Sequence, residues 1–413
     1  MKNILVAQSG GPTAVINATL AGVIMESMIS EEIDKVYGGV NGIQGVLEEK
    51  FVELNQAIKN TSDIELLAQT PAAALGSCRF KLQSFENGEE QYEKIVQIFR
   101  KYDIAWFIYI GGNDSMDTVD KLSAFCKKKS ISDIQIVGVP KTVDNDLMEI
   151  DHCPGFPSAA RYIATTFAEL ERDTAVYEKF GVTIVEVMGR NAGWLTASAA
   201  LARINGAKGP DFIYLCEKPF HVESFVEDIK SKQSENRNVL IAVSEGVKDE
   251  TGKFITEQKT SNEADVFGHK DIAGTGKILE EIVRERIGCK VRSIELSLMQ
   301  RCASHLASKV DCDEAKMLGA KAVKVGLAGQ TGKMVTLNRT DDQTYKIKFS
   351  TVDVSKVANE EKTVPLEWIN ASGNDVTDEM MQYLLPLIQE NTGIRYKNGL
   401  PEHIALYDNH KRG

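Results

Sequence analysis

The stretch that decides the fold is 134–146, IQIVGVPKTVDND, in which an apolar run ends in a cluster of polar and charged residues. The run Ile134–Val139 is almost continuously apolar, which is typical of a strand buried on both faces of a parallel sheet. Two carboxylates, Asp144 and Asp146, then follow two residues apart, beside a lysine and a threonine. One aspartate can accept a hydroxyl proton while the other helps to hold a metal, as phosphoryl transfer requires. A solvated acidic turn would show the same pattern and remains the alternative at this point.

Similar apolar runs recur along the chain, each followed by turn residues and a helical pattern. The clearest are Asn3–Gln8, Ile104–Ile110, Val182–Val187, Phe212–Cys216, Val239–Val243 and Val291–Leu296. Amphipathic segments such as Gln91–Lys101 and Gly276–Ile287 lie between them. This alternation predicts an α/β protein built from strand–helix–strand crossover units. The polar stretch Lys248–Asp265 is expected to be a surface excursion.

Composition and charge narrow the possible functions. The 413 residues predict two or three domains, and 48 basic against 59 acidic side chains give a net charge of −11. This acidic excess argues against a nucleic-acid-binding surface. No apolar stretch reaches the roughly 18 residues of a transmembrane helix, so we expect no membrane partner either. The seven cysteines form no CxxC pair, which favours reduced thiols and a cytoplasmic location.

Further motifs follow the predicted strands at their carboxyl ends, where open α/β sheets bind ligands. They are GGPT at 10–13, GGNDS at 111–115, MGR at 188–190 and SEG at 244–246. Glycine turns before a helix suit a phosphate, Arg190 can clamp another, and Glu245 can accept sugar hydroxyls. Taken singly, each motif is equally compatible with a tight turn or a surface ion pair. Arg79, Arg292 and Arg301 lie near such turns, and these arginines favour a polyanionic substrate.

In their order along the chain, these motifs resemble those of the phosphofructokinase family. The matching set is GGPT, LGSCR, GGNDS, PKTVDND, MGR, SEG and the segment from Arg292 to Arg301, of which TVDND is highly specific. The resemblance implies two facing α/β domains with mainly parallel sheets and an active site in the cleft between them. It also implies Mg²⁺-dependent phosphoryl transfer to the 1-hydroxyl of fructose 6-phosphate.

The domains expected from this resemblance are discontinuous. Residues 1–150 plus about 300–355 would bind the phosphoryl donor, and residues 151–299 plus about 356–413 would bind fructose 6-phosphate. A homodimer or a homotetramer is the expected assembly.

The resemblance also implies a role for individual residues. Asp144 would be the general base, Thr142 would contact the transferring phosphoryl group, and Arg190 would complete the catalytic set. The positions that bind the sugar phosphate are Thr142, Asp144, Met188, Gly189, Arg190, Glu245, Arg292 and Arg301. The donor positions are Gly11, Arg79, Asp114 and Lys141. The candidates for holding Mg²⁺ are Asp114, Asn113 and Asp146.

Three positions depart from the family pattern. Asn113 stands where the family usually has its magnesium aspartate, which leaves Asp114 as the nearest carboxylate. Gly181 replaces an arginine that reaches a neighbouring subunit in the ATP-using enzymes, and Leu298 replaces a frequent histidine.

Asp114 and Lys141 indicate the phosphoryl donor. ATP-using members resemble GGDGS and PGTIDND, with glycines at these two positions, and small residues there leave room for the nucleotide's α-phosphate. Asp114 places bulk and negative charge against that phosphate, whereas Lys141 adds a cation for a smaller anion. The pair resembles the pyrophosphate-dependent subgroup, whose reaction runs readily in both directions. The alternatives are an ATP-dependent enzyme and a non-catalytic regulatory subunit that binds sugar phosphates.

Overall fold

The computed structural model describes residues 1–235, 238–258, 274–341 and 344–407. Its strands, in chain order, are β1 Lys2–Gln8, β2 Ile33–Gly39, β3 Phe51–Glu53, β4 Ile104–Gly111, β5 Gln135–Pro140, β6 Gly181–Val187, β7 Phe212–Tyr214, β8 Val239–Ser244, β9 Lys290–Glu295, β10 Lys333–Asp341, β11 Lys346–Asp353, β12 Tyr396–Lys397 and β13 Leu400–Pro401.

The helices alternate with these strands over most of the chain. In chain order they are α1 Ile16–Ile29, α2 Gly42–Leu47, α3 Leu54–Ala57, α4 Thr61–Gln69, α5 Phe85–Lys101, α6 Asn113–Lys128, α7 Phe156–Thr174, α8 Trp194–Ala197, α9 Val222–Lys232, α10 Thr275–Arg286, α11 Met299–Cys302, α12 Lys309–Leu327 and α13 Asp378–Leu384. In the part of the chain that is described, no helix is long and apolar enough to span a membrane.

The larger sheet has seven strands in the order β11-β10-β5-β4-β1-β2-β3. The outer pairs β10–β11 and β2–β3 are antiparallel, and the strands between them are parallel. Every residue of β4 is buried, as a central parallel strand covered by helices on both faces requires. The strands β10 and β11 come from residues 333–353, so the chain returns to this sheet after forming the second one.

The smaller sheet has four parallel strands in the order β7-β8-β6-β9. One apolar cluster packs on one side of it, with Phe156 and Phe167 of α7 and Trp194 of α8 at its centre. A second cluster joins the sheet to α9 and α10 through Phe225 and Leu279. Both faces of the sheet are therefore covered by helices.

The predicted fold class is confirmed: the protein is α/β, with two mainly parallel sheets. The predicted strands all appear, with ends shifted by one or two residues; the run Phe212–Cys216, for example, forms a strand only over Phe212–Tyr214. The predicted surface excursion lies partly outside the described residues, because 259–273 are not described.

Candidate active site

A cavity of about 600 Å³ lies where loops from the two sheets meet. The loops after β1, β4 and β5 of the larger sheet form one wall, and the loops after β6 and β8 of the smaller sheet form the other. Most of the predicted site residues line this cavity: Gly11, Arg79, Asn113, Asp114, Lys141, Thr142, Asp144, Asp146, Met188, Arg190, Glu245 and Arg301. The strand-end motifs therefore converge on one site, as expected for parallel sheets.

Two predicted site residues do not line this cavity. The backbone N–H of Gly189 donates to Oε1 of Glu245 at 3.2 Å, so Gly189 positions a wall residue instead. Arg292 lies on β9, the edge strand of the smaller sheet, and lines a separate cavity beside Tyr177 and Lys290. Within a single chain Arg292 therefore lies apart from the other sugar-phosphate positions, and its contact with the sugar phosphate stays a prediction.

We call the wall formed by the loops of the larger sheet the donor side, because the expected donor positions lie there. Lys141 lies at the base of this wall. Its ammonium group donates to the carbonyl of Gly11 at 2.7 Å, and its residue is only 3% exposed. Burial lowers the pKa of Lys141 to about 8, while the carboxylates of Asp146 and Asp144 oppose this effect. A glycine suits position 10 because its φ is 78°, and a Cβ there would also lie 3.1 Å from the ammonium nitrogen. The turn after β1 thus carries a desolvated cation against its backbone.

Two arginines add positive charge to the same side. A Cβ at Gly11 would lie 3.1 Å from Nη1 of Arg301, which places this guanidinium over the turn. Burial lowers the pKa of Arg301, and the neighbouring charge of Arg79 lowers it further. Mutual repulsion between these cations is relieved when a polyanion binds between them.

Asp114 lies at the rim of the donor side, in the first turn of α6. Its Oδ1 is 3.8 Å from Nζ of Lys81, and both side chains are almost half exposed. A carboxylate at this position narrows the entrance and repels further negative charge, as the sequence pattern predicts for a site that takes a small donor.

Asp144 is a carboxylate of the cavity whose surroundings disfavour its charged form. Burial, together with the charges of Asp146 and Glu245, raises the pKa of Asp144 to about 7, although Lys141 and Arg190 favour its ionised form. A carboxylate with a pKa near the working pH is well matched to accept a proton from a hydroxyl group. The backbone N–H of Asp144 donates to Oγ1 of Thr142 at 3.1 Å, which orders the turn.

Asn145, between the two aspartates, fixes the shape of the loop. Its backbone has a φ of 57°, a left-handed conformation that asparagine tolerates better than most residues. Its Oδ1 accepts from the backbone N–H of Cys153 at 2.9 Å, and its Nδ2 donates to the hydroxyl of Tyr383 at 3.0 Å. This anchored residue lets Asp144 and Asp146 both line the cavity.

Asp146 is the residue best suited to hold a divalent cation. Its Oδ1 is buried and has no hydrogen-bond partner among the described residues. Those residues contain no group of three potential ligands drawn from His, Cys, Asp and Glu. Mg²⁺ keeps several waters and is commonly held by one or two carboxylates plus substrate phosphates. The side chains present therefore fit a Mg²⁺ ion that arrives with a phosphate-bearing substrate.

The side-chain amide of Asn113 is hydrogen-bonded to the backbone of the C-terminal segment. Its Nδ2 donates to the carbonyl of Glu360 at 2.6 Å, and its Oδ1 accepts from the backbone N–H of Asn359 at 2.6 Å. The structure thus gives this predicted metal position a role in anchoring the chain, because both ends of the amide are engaged.

On the acceptor side, the MGR and SEG loops pack backbone against backbone. A Cβ at Gly246 would lie 1.9 Å from the carbonyl oxygen of Arg190, so only glycine fits there. The hydroxyl of Ser244 donates to the carbonyl of Gly189 at 2.6 Å. The Nε of Arg190 is buried without a hydrogen-bond partner among the described residues, which leaves a donor for an anionic ligand. Oε1 of Gln300 accepts from the backbone N–H of Met188 at 3.2 Å.

Two residues of the C-terminal segment line the cavity although sequence reasoning did not single them out. Asn359 and Glu361 both form part of its wall. They belong to no recognisable motif, and the one signal in the sequence was indirect: an asparagine where a magnesium aspartate was expected.

Comparisons with known proteins agree with this geometry. The family model described as Phosphofructokinase matches residues 3–326. The chain belongs to the phosphofructokinase family. Among its relatives in this family, a protein of Xanthomonas campestris pv. campestris named "Pyrophosphate--fructose 6-phosphate 1-phosphotransferase" is 38% identical over 98% of this chain and 96% of its own. A protein of the same name from Methylococcus capsulatus is 37% identical with the same coverage of both chains.

A solved phosphofructokinase-family structure has the same fold over nearly its full length. The crystal structure titled as a pyrophosphate-dependent phosphofructokinase from Nitrosospira multiformis superimposes with a TM-score of 0.87 at 36% identity, covering 98% of this chain and 96% of that one.

Proposed function

We propose that this phosphofructokinase-family protein transfers a phosphoryl group from pyrophosphate to the 1-hydroxyl of fructose 6-phosphate, giving fructose 1,6-bisphosphate and phosphate. The observation that carries the proposal is the buried ammonium of Lys141 against the glycine turn, opposite Asp114 at the rim of the same cavity. The names of the relatives at 37–38% identity support the same donor.

Each wall of the cavity has a separate task in this proposal. Lys141 and Arg79 bind the pyrophosphate oxygens, and the desolvation of Lys141 strengthens that attraction. Arg190 and Glu245 hold fructose 6-phosphate, the arginine through charge-assisted hydrogen bonds and the glutamate by accepting from sugar hydroxyls. Asp144 lies between them and accepts the proton of the 1-hydroxyl as that oxygen attacks phosphorus.

Thr142 and Asp146 complete the proposed transfer. Thr142 has a hydroxyl on the same loop as the base, where it can contact the moving phosphoryl group. Asp146 would hold the Mg²⁺, and Asp114 is the other carboxylate that the family resemblance implies for the ion. When bound, the ion supplies charge neutralisation to the transferring group and the leaving phosphate.

The phosphoanhydride bond of pyrophosphate and the phosphate ester of the sugar have similar free energies of hydrolysis, so the reaction should be reversible. ATP is the second candidate donor, and a regulatory subunit without activity is the third. Asp114 disfavours ATP because its carboxylate would face the negative α-phosphate of a bound nucleotide.

A double-mutant cycle at the donor positions tests the proposal. Asp114→Gly should admit ATP weakly, and Lys141→Gly should lower the kcat/KM for pyrophosphate, because the anion loses its fixed partner. The effects should not add if both residues act on the same phosphate. Absence of ATP activity above background in Asp114→Gly would contradict the role given to this residue.

We also propose how the chain divides into two units and how it assembles. Residues 1–150 plus about 300–355 would form the donor-binding unit, and residues 151–299 plus about 356–413 the unit that binds fructose 6-phosphate; 408–413 lie outside the described residues. Because Arg292 lines a different cavity of its own chain, we propose that it acts on the sugar phosphate bound by a second copy. We therefore expect a homodimer or a homotetramer, which sedimentation of the wild type would test, and we expect it in the cytoplasm.

A further inference from the structure

The tail strap, residues 359–364, crosses from the donor side of the cavity to the acceptor side. Its first two residues, Asn359 and Glu360, are hydrogen-bonded through their backbone to the side-chain amide of Asn113. At its centre, the backbone N–H of Lys362 donates to the carbonyl of Asp146 at 2.8 Å. The carbonyl of Lys362 accepts from Nε1 of Trp194 at 3.0 Å, so the strap also contacts α8.

Lys362 holds the strap against the aspartate loop, by which we mean the loop after β5 that contains Asp144 and Asp146. Its side chain is partly buried, and its ammonium group donates to the carbonyls of Ile150 at 3.0 Å and Asp151 at 2.8 Å. Oε1 of Glu217 accepts from the backbone N–H of Val364 at 2.9 Å, which fixes the far end. The residues between these anchors therefore have a defined position beside Asp146.

Glu361 is the strap residue that this arrangement brings to the aspartate loop. Its sequence neighbour Lys362 is bonded to the backbone of Asp146, and Glu361 and Asp146 line the same cavity. Its Oε1 accepts from Nδ2 of Asn191 at 3.1 Å, which directs the carboxylate across the mouth.

We propose that Glu361 supplies the second carboxylate for the divalent cation, together with Asp146, which lines the same cavity and whose buried Oδ1 has no partner among the described residues. The inference rests on the proposed function in so far as the cation accompanies pyrophosphate. Mg²⁺ is commonly held by one or two carboxylates, with water and substrate oxygens filling the other positions.

This proposal explains the asparagine at position 113. An aspartate there could not donate to the carbonyl of Glu360, because an ionised carboxylate only accepts hydrogen bonds. The amide of Asn113 both donates and accepts a hydrogen bond, and so holds in place the strap that contains Glu361. The carboxylate that the glycine-rich turn lacks is thus provided from the C-terminal part of the chain.

Direct binding of Mn²⁺, used as the probe and followed by electron paramagnetic resonance, tests the proposal without turnover. The full-length wild type, Glu361→Gln and Glu361→Asp would be titrated with and without methylenediphosphonate, a pyrophosphate analogue that is not hydrolysed. The matched control is Glu360→Gln, because the adjacent glutamate contributes its carbonyl but not its side chain to the strap contacts. Thermal unfolding of each variant would verify that the fold is retained.

Glu361→Gln should weaken Mn²⁺ binding by at least about 10–100-fold, because that loss is already typical when groups that only orient the metal ligands are changed. Glu361→Asp should lose less, and Glu360→Gln should bind as wild type does. Equal binding by Glu361→Gln and wild type would overturn the proposal, as would an equal loss in Glu360→Gln. Failure of the proposed function is a different result: wild type would then form no product from pyrophosphate, whatever the ranking of Mn²⁺ affinities.

Discussion

At the scale of single residues, Asp144 joins two properties that a general base needs. It lies in the cavity wall between the donor cations and Arg190, and burial raises its pKa to about 7. An aspartate at its ordinary pKa would be a much weaker base toward a sugar hydroxyl. The surrounding loop therefore changes the chemistry of a common side chain without any unusual residue.

Asp144→Asn should keep the shape of the loop and remove the proton acceptor. We expect kcat to fall by about 10²–10⁴-fold, while binding of fructose 6-phosphate changes little. Steady-state rates and equilibrium binding of the sugar phosphate measure the two effects separately. Asp173→Asn, on an exposed part of α7, is the matched control. A variant at position 144 that turns over near the wild-type rate would disprove the assignment.

The sequence located most of the site residues because they belong to turns at strand ends. Asp144, Lys141 and Glu245 follow apolar strands, and their positions are determined by the strand that precedes them. Glu361 could not be found in this way, because its place depends on contacts with Asn113 and Asp146 more than 200 residues away in the chain.

At the scale of elements, the acceptor side depends on the close approach of two loops. The loop after β8 reaches the backbone of Arg190 so closely that a Cβ at Gly246 would lie 1.9 Å from its carbonyl oxygen. The absence of a side chain at Gly246 thus allows the close approach of the two loops that positions Arg190.

Gly246→Ala should force these loops apart and move Arg190. We expect the KM for fructose 6-phosphate to rise more than the KM for pyrophosphate, with a loss of stability of about 1–3 kcal/mol from overpacking. Gly206→Ala is the control: its φ is 82°, but no atom lies within 4 Å of the added carbon. It should cost about 1–2 kcal/mol through backbone conformation alone and leave both KM values unchanged. Equal increases in the two KM values of Gly246→Ala would argue against this view.

The strands and most helices could be predicted because the apolar runs are long and uninterrupted. Arg292 shows the limit of such reasoning: the strand β9 was predicted, but its place at the edge of the smaller sheet was not. The order of strands within a sheet depends on helix packing and crossover connections, which a run of apolar residues does not specify.

At the scale of the whole molecule, a buried polar cluster joins the aspartate loop to distant parts of the chain. His152 is 1% exposed; its Nδ1 is 2.8 Å from Oδ1 of Asp151 and its Nε2 is 2.6 Å from Oε2 of Glu314 on α12. The hydroxyl of Tyr345 donates to Glu314, and Arg339 of β10 is 3.3 Å from Asp151. The loop beyond β5 is thereby bonded to α12 and to the returning strands.

Burial alone would lower the pKa of His152, but Glu314 and Asp151 raise it to about 9. The stabilisation is therefore fully present below the unfolded pKa of about 6.5 and is lost as the pH rises through 9. Thermal unfolding should show stability falling between these pH values in wild type, with a shallower fall in His152→Gln.

At neutral pH, His152→Gln should lose about 3–5 kcal/mol, because the buried carboxylate of Glu314 loses its cation. The exposed His305→Gln is the control and should follow wild type at every pH. Parallel pH curves for wild type and His152→Gln would show that the imidazole is not charged in the folded protein.

The most direct test of the central claim is the initial rate of fructose 1,6-bisphosphate formation from fructose 6-phosphate and Mg²⁺, with pyrophosphate and ATP compared side by side. The structure leads us to expect a much higher kcat/KM with pyrophosphate, and the reverse reaction from fructose 1,6-bisphosphate and phosphate under the same conditions. A preference for ATP in wild type would contradict the roles of Asp114 and Lys141, and absence of product with either donor would contradict catalysis itself.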